Sequence, residues 1–414
     1  MSFLSLLHSI RRSLKPRKEG SSATSSAERP RKVGGGARRG RGKRTRVLNS
    51  DDEDGGGGGG SGEREENKLD IKLVFTVLDK LVLVLGLVHL SRFPDSLKSL
   101  VQTMSDIPVL GFDFCGNSWN YNRLCEFCGS ILRQALKVEH GEQDVTAAEV
   151  LKSLSPLILS AKSQARDFAL VFVTNDMRNI AQDSSPVMKA MVNLPRYLSQ
   201  KVPEKTDARS LAIESIMEIV KSIEFDDQVG FIGYVVKMAQ GKSHLRYLAV
   251  DLIPKLMASL EDPVGSGLEH EMEHSWKLRC LTALIQRCSD SVAGIRARAL
   301  SNLAQIVGSM SGDAQECVLL NKALGLKHWH DGGVNDLVRK RCTDEKAAVR
   351  KATLLLITKL MALVSGSLDD EILKTMGMAC SDQLVSIRKT AIAALSEVRS
   401  LSVCCMMMVA NSNF

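Results

Sequence analysis

Ile295-Arg296-Ala297-Arg298-Ala299 and Ile387-Arg388-Lys389-Thr390-Ala391 are copies of one phrase, apolar-Arg-x-x-Ala, that recurs through the last two-thirds of this 414-residue chain. It stands also at Ala165-Arg166-Asp167-Phe168-Ala169, Ala208-Arg209-Ser210-Leu211-Ala212 and Leu245-Arg246-Tyr247-Leu248-Ala249. A variant, Val349-Arg350-Lys351-Ala352, carries its Ala one place early. The arginines lie 43, 37, 50, 54 and 38 residues apart. Positions i and i+4 share one helix face. The apolar residue and the Ala therefore face a partner helix, and the Arg is set toward the edge of that contact. In three copies an Asp stands five residues before the apolar position: Asp290, Asp344 and Asp382, each after a Cys and a hydroxyl residue. Asp ahead of a helix caps free backbone N–H groups. It can also pair with the Arg of its own or the adjacent copy.

Repeats of about 40–47 residues mark HEAT or armadillo arrays. The expected fold is all-α: a HEAT/armadillo-type α-solenoid over residues 67–400, preceded by a disordered basic tail over 1–66. The two longer gaps are expected to hold loop insertions. Ser155-Pro156, Ser185-Pro186, Leu194-Pro195, Val202-Pro203, Asp262-Pro263 and Gly332-Gly333 read as breaks between helices. Aromatics are few, at 4%, which suits a core of Leu, Ile, Val, Ala and Met. The last repeat is expected to end near Arg399. Residues 401–414, with Cys404-Cys405-Met406-Met407-Met408, lack the polar outer face of a terminal repeat. They read as an atypical end of a truncated or alternatively ended array.

The net charge of +8 divides unevenly. Residues 1–49 carry 14 Lys+Arg against Glu19 and Glu28, or +12, which leaves −4 for the remainder. The cluster Arg38, Arg39, Arg41, Lys43, Arg44 and Arg46, with Arg29-Pro30-Arg31-Lys32 upstream, reads as a nuclear import signal that also touches phosphates. Met1 to Lys18 has Phe3, Leu6, Leu7, Ile10 and Leu14 at helical spacing and several basic residues, a pattern shared with organellar transit peptides. Ser50-Asp51-Asp52-Glu53-Asp54 offers an acid-directed kinase a serine. Ile71 to Leu90 is the most apolar stretch. Asp79 and Lys80 near its middle would each cost about 2.5–3.5 kcal/mol in a bilayer, so it reads as a buried first-repeat helix and no membrane is expected. Ten scattered cysteines read as mostly buried reduced thiols.

His270-Glu271-Met272-Glu273-His274 matches the zinc-protease H-E-x-x-H pattern, but Lys277 stands where Gly is expected and Cys280 where a third His is expected. Cys125-Glu126-Phe127-Cys128 with Cys115 and His140 offers four zinc ligands at irregular spacing, and buried thiols on a helix fit better. His328-Trp329-His330 has no partner motif. With no nucleotide loop and no paired carboxylates, no enzyme, cofactor, metal or small-molecule substrate is expected.

Asp344 to Ala352 and Cys380 to Lys389 resemble the HEAT repeats of the D-type subunits of the condensin II complex. Arg92-Phe93-Pro94-Asp95-Ser96-Leu97-Lys98-Ser99-Leu100 resembles the N-terminal region of plant members. The resemblance covers roughly residues 68–400. It implies a non-catalytic regulatory subunit that joins a kleisin and, through it, an SMC ATPase pair, contacts double-stranded DNA in chromatin, and serves mitotic chromosome condensation in the nucleus. Lys and Arg neutralise phosphates without reading bases. The expected DNA contacts are the tail cluster and, on the array, Arg298, Lys351 and Lys389, which stand beside motif arginines and are expected to be free of internal pairing. The alternative is a protein–protein adaptor without DNA contact, such as a transport or phosphatase scaffold, which the −4 of the array favours.

Overall fold

The structure is a computed structural model that describes residues 8, 9, 12, 71–262, 274–325, 333–363 and 370–411. The expected tail of residues 1–66 falls outside these, apart from His8, Ser9 and Arg12. So do the acidic serine motif, the His328 loop, and the H-E-x-x-H segment except His274.

Among the described residues the chain is built of helices. They run in order as α1 Ile71–Leu85, α2 Pro94–Cys115, α3 Ser118–Ala135, α4 Gln143–Ile158, α5 Ser163–Val171 and α6 Arg178–Asp183. Next come α7 Ser185–Ser199, α8 Thr206–Ser222, α9 Phe225–Met238, α10 Ser243–Ser259, α11 Trp276–Arg287 and α12 Ala293–Met310. The last are α13 Ala314–Leu324, α14 Val334–Cys342, α15 Ala347–Leu363, α16 Asp370–Ala379 and α17 Val385–Asn411. A π-helical turn, Phe172–Met177, joins α5 to α6.

Consecutive helices pair as hairpins: α2 with α3, α4 with α5, α7 with α8, α9 with α10, α11 with α12, α14 with α15, and α16 with α17. The hairpins stack in two layers. In one layer α2, α4, α7, α9 and α11 follow one another, α13 packs on α11, and α16 packs on α14. In the other, α1, α3, the π turn, α8, α10, α12, α15 and α17 follow one another. Each repeat touches its sequence neighbours, which is the solenoid expected from the phrase.

The phrase does in the structure what its spacing requires. Ile295 and Ala299 are both fully buried, as are Ala169, Ala212, Ala249 and Ala391. A buried Ile or Leu contributes roughly 1.5–3 kcal/mol, and the buried cluster runs unbroken from Val74 to Val398. α1 buries Val74, Phe75, Leu78, Leu81 and Leu85 along one stripe. Among the described residues no helix is long and apolar enough to cross a membrane. Local chemistry starts and stops the helices. Asn117, Ser184, Ser275 and Asp313 accept backbone N–H groups at the starts of α3, α7, α11 and α13. Gly116, at φ 70°, ends α2 in the left-handed region where a side chain is strained. Buried His140 ties two loops together, its Nδ1 accepting the Leu90 N–H at 3.4 Å.

Three expectations change. The gap between Arg296 and Arg350 holds a whole helix, α13, where a loop insertion was expected. Pro156 and Pro195 lie inside α4 and α7. An internal proline costs a helix about 3 kcal/mol, and burial of Leu154, Leu157, Leu194 and Leu198 around them offsets it. Finally, the helix that begins at Val385 runs on past Arg399 to Asn411.

Candidate interaction surface

The motif arginines form a ladder between repeats. Arg246 donates from Nε and Nη2 to both carboxylate oxygens of Asp290, at 2.7 and 3.0 Å. Arg296 makes the same fork to Asp344, at 2.9 and 2.9 Å. Arg350 makes it to Asp382, at 2.7 and 3.0 Å. In each case the aspartate belongs to the following repeat. Forked arginine–carboxylate pairs fix orientation as well as distance.

The third guanidinium nitrogen is used locally. Nη1 of Arg296, Arg350 and Arg388 donates to the carbonyls of Asp290, Asp344 and Asp382, six residues back, at 2.9, 2.8 and 2.8 Å. Arg296 and Arg350 thus each close the turn of their own hairpin and grip the turn of the next, and Arg388 closes its own. The aspartates also receive local partners. Arg287 and Arg341, three residues upstream, reach Asp290 and Asp344. The aspartates were expected to cap the following helix. Instead each caps the turn before it: Asp290, Asp344 and Asp382 accept the N–H of the residue two positions on, at 2.9–3.0 Å. The helices begin at Ala293, Ala347 and Val385, one residue beyond the N–H that each aspartate holds.

The electrostatics follow. Burial raises the Asp290 and Asp344 carboxyls, but the arginine bonds, the turn N–H and the nearby positive charges outweigh it and hold both below the usual carboxylate range. For Asp382 the Arg350 bond leads, and the result is again a lowered carboxyl.

Upstream the ladder is built differently. Arg209 pairs at 2.9 Å with Asp251, which lies inside α10 and is 7% exposed. The same carboxylate accepts Nε of Arg298 from α12 at 2.6 Å. One aspartate therefore ties α8, α10 and α12 together. Arg298 was expected to be free of internal pairing and is not. Its position on α12 faces Asp251 across the helix contact, even though its side chain stays 47% exposed. Lys351 on α15 and Lys389 on α17 are exposed, each following a motif arginine on successive helices of the same layer. Further along α15, Lys359 bridges to Glu397 of α17 at 3.5 Å. Earlier on this layer Glu214 and Glu218 of α8 are exposed. Exposed lysines also stand on the earlier repeats, Lys189, Lys221 and Lys255 among them. The tail arginines lie outside the described residues.

Asp251 was missed from the sequence, although an acid set in the apolar run Val250-Asp251-Leu252-Ile253 is a usable sign of a buried ion pair. The thiols are structural in character. Burial pushes Cys115 to about 11 and Cys125 to about 12, and raises Cys128 as well. No group of three His, Cys, Asp or Glu is placed to hold a metal among the described residues.

No family model matches the chain. The chain is 51% identical over 401 residues to condensin-2 complex subunit CAP-D3 of Arabidopsis thaliana, covering 96% of this chain and 30% of that protein. Condensin-2 complex subunit D3-L of Xenopus laevis is 23% identical over 321 residues, covering 65% of this chain and 21% of that one. Condensin-2 complex subunit D3 of Mus musculus is 24% identical over 201 residues, covering 46% and 12%. The chain spans less than a third of the length of these relatives. Among solved structures, a designed armadillo repeat protein in complex with a (KR)4 peptide is 16% identical, covers 60% of this chain and 99% of its own, and has a TM-score of 0.34.

Proposed function

We propose that this chain, a homologue of condensin-2 complex subunit D3, is a non-catalytic HEAT-repeat scaffold of a condensin II complex, acting on chromosomes in the nucleus. The observation that carries the reading is the 51% identity along 96% of the chain to the plant subunit. In this reading a kleisin lies on the array, an SMC ATPase pair joins through it, and ATP turnover belongs to those partners. The array supplies a surface of fixed pitch. The ladder sets the rotation between the later repeats, so a partner spanning several repeats meets a preformed shape and less ordering cost.

DNA contact is assigned chiefly to the tail. The remainder of the chain carries −4, whereas Arg38, Arg39, Arg41, Lys43, Arg44 and Arg46 lie within nine residues. Lys351 and Lys389 supply a second, weaker contact from the array. Arg298 contributes less than these, since its bond to Asp251 holds the guanidinium against the array. The test is duplex binding measured against salt for the chain and for a variant with all six tail residues changed to Gln. Each neutralised phosphate contributes about 0.9 to the log–log slope, so the slope is expected to fall by about 5 if all six engage. Unchanged binding and slope would remove the tail from the interface. Absence of binding in both proteins would favour an adaptor without DNA contact.

A further inference from the structure

We infer that the groove between α3 and α5 is the docking site of the chain's own N-terminal segment, residues 1–14. The groove has a volume of about 440 Å³ and runs between neighbouring helices of one layer. Its floor is aromatic. Gly129 stands against the rings: a Cβ there would be in van der Waals contact with Phe172 at 3.7 Å and Phe168 at 4.0 Å. Phe112 and Val171 stand on the rim, 47% and 53% exposed. The α5 wall passes into the π-helical turn, a feature often found at functional sites.

The rim is acidic. Glu126, Asp167 and Asp176 line it against a single cation, Arg133. Arg133 pairs with Asp176 at 2.7 Å and closes one end. Glu126 and Asp167 remain exposed along the open length. An apolar trough with acidic edges fits a helix that is apolar on one side and basic on the other.

The chain carries such a segment. Phe3, Leu6, Leu7, Ile10 and Leu14 recur at helical spacing, and Arg11, Arg12 and Lys15 follow with no acid before Glu19. The described residues of this segment, His8, Ser9 and Arg12, are helical and exposed. All three fall on the side opposite the apolar stripe. The lengths agree: a helix of fourteen residues would span about 21 Å, and the wall from Ser118 to Arg133 spans about 24 Å. Residues 19–70 extend to at most about 170 Å, ample to reach the groove. A tether of this kind gives an effective concentration up to about millimolar, so weak intrinsic affinity suffices for occupancy.

The test uses the full chain and a labelled peptide of residues 1–18. In one variant, Leu6→Asp, Leu7→Asp and Ile10→Asp together disable the chain's own segment. The peptide is expected to bind this variant at least tenfold more tightly than the unmodified chain, whose groove is occupied. Adding Val171→Arg, or separately Glu126→Lys, at exposed rim positions is expected to weaken peptide binding at least tenfold while leaving the helical circular dichroism unchanged. Equal binding to the disabled and unmodified chains would overturn the proposal. So would binding that ignores both rim substitutions, or equal binding of a peptide of the same composition in shuffled order. A partner's segment as the true occupant would appear as no peptide binding to the disabled chain, and would also overturn it.

Discussion

Asp290→Ala is expected to lower the stability of the array by about 3 kcal/mol, the lower end of the cost of stranding the partner of a buried ion pair. The lower end applies because Arg246 and Arg287 keep 16% and 20% of their side-chain surface in water, while the Asp290 side chain keeps 1%. The change removes the fork to Arg246, the bond from Arg287 and the cap on the Val292 N–H together. Asp290→Asn keeps one acceptor for the Val292 N–H but loses the charge and sets an amide donor against Arg246 Nε and Arg287 Nη1, so it is expected to recover only a small part of the loss. The pH dependence separates the wild type from either variant. The Asp290 carboxyl is lowered in the folded chain, so the unfolded chain binds the extra proton as pH falls. The stabilisation is complete above the ordinary carboxylate value near 3.9 and fades as pH drops through the lowered one. Urea unfolding of the wild type is therefore expected to weaken more below pH 4 than that of Asp290→Asn. A midpoint unmoved by Asp290→Ala would mean that the ladder is a surface ornament. A double substitution with Arg246→Ala gives the coupling directly, and zero coupling would carry the same meaning.

Phe172→Ala is expected to cost more, about 3–5 kcal/mol, the range for truncating a buried aromatic. Phe172 is 1% exposed, lies tilted against Phe168 with ring centroids 6.4 Å apart, and packs beside Gly129. It opens the π-helical turn, and the turn packs on both α3 and α8. A solenoid is held by contacts between neighbours. The loss is therefore expected to be local: amide exchange rises over α3 to α8 and stays near wild type in α15 to α17. Uniform loss of protection along the chain would contradict the repeat-by-repeat account of its stability. An effect below about 1 kcal/mol would show that the site collapses around the smaller side chain.

Much of this was legible in the phrase itself. Apolar-Arg-x-x-Ala gave the repeat, the buried face and the edge position of the arginine, because helical periodicity is a local property. The Asp–Arg partnership was legible as a choice between own and adjacent repeat. The choice itself was not, since it depends on how far one hairpin turn overhangs the next. Asp251 and Arg298 show the limit most clearly. They are 47 residues apart and meet because α10 and α12 pack in the same layer. Arg298 stands two positions after its motif arginine and Lys351 and Lys389 one after theirs, so Arg298 lies on another side of its helix and meets Asp251 while the two lysines stay exposed. Pro195 misled for a related reason: its local preference for ending a helix was outweighed by the buried leucines beside it. The groove over Gly129 left no mark in the sequence, because it is made by the spacing between helices and not by either helix alone.

The scaffold assignment is tested most directly by affinity purification of the tagged chain from dividing cells, with mass spectrometry of what it retains. Recovery of a kleisin together with both SMC ATPases, held through a wash at moderate salt, is the result expected of a condensin II scaffold. Absence of all three, in cells where an equally tagged full-length condensin-2 D3 subunit does retain them, would contradict it.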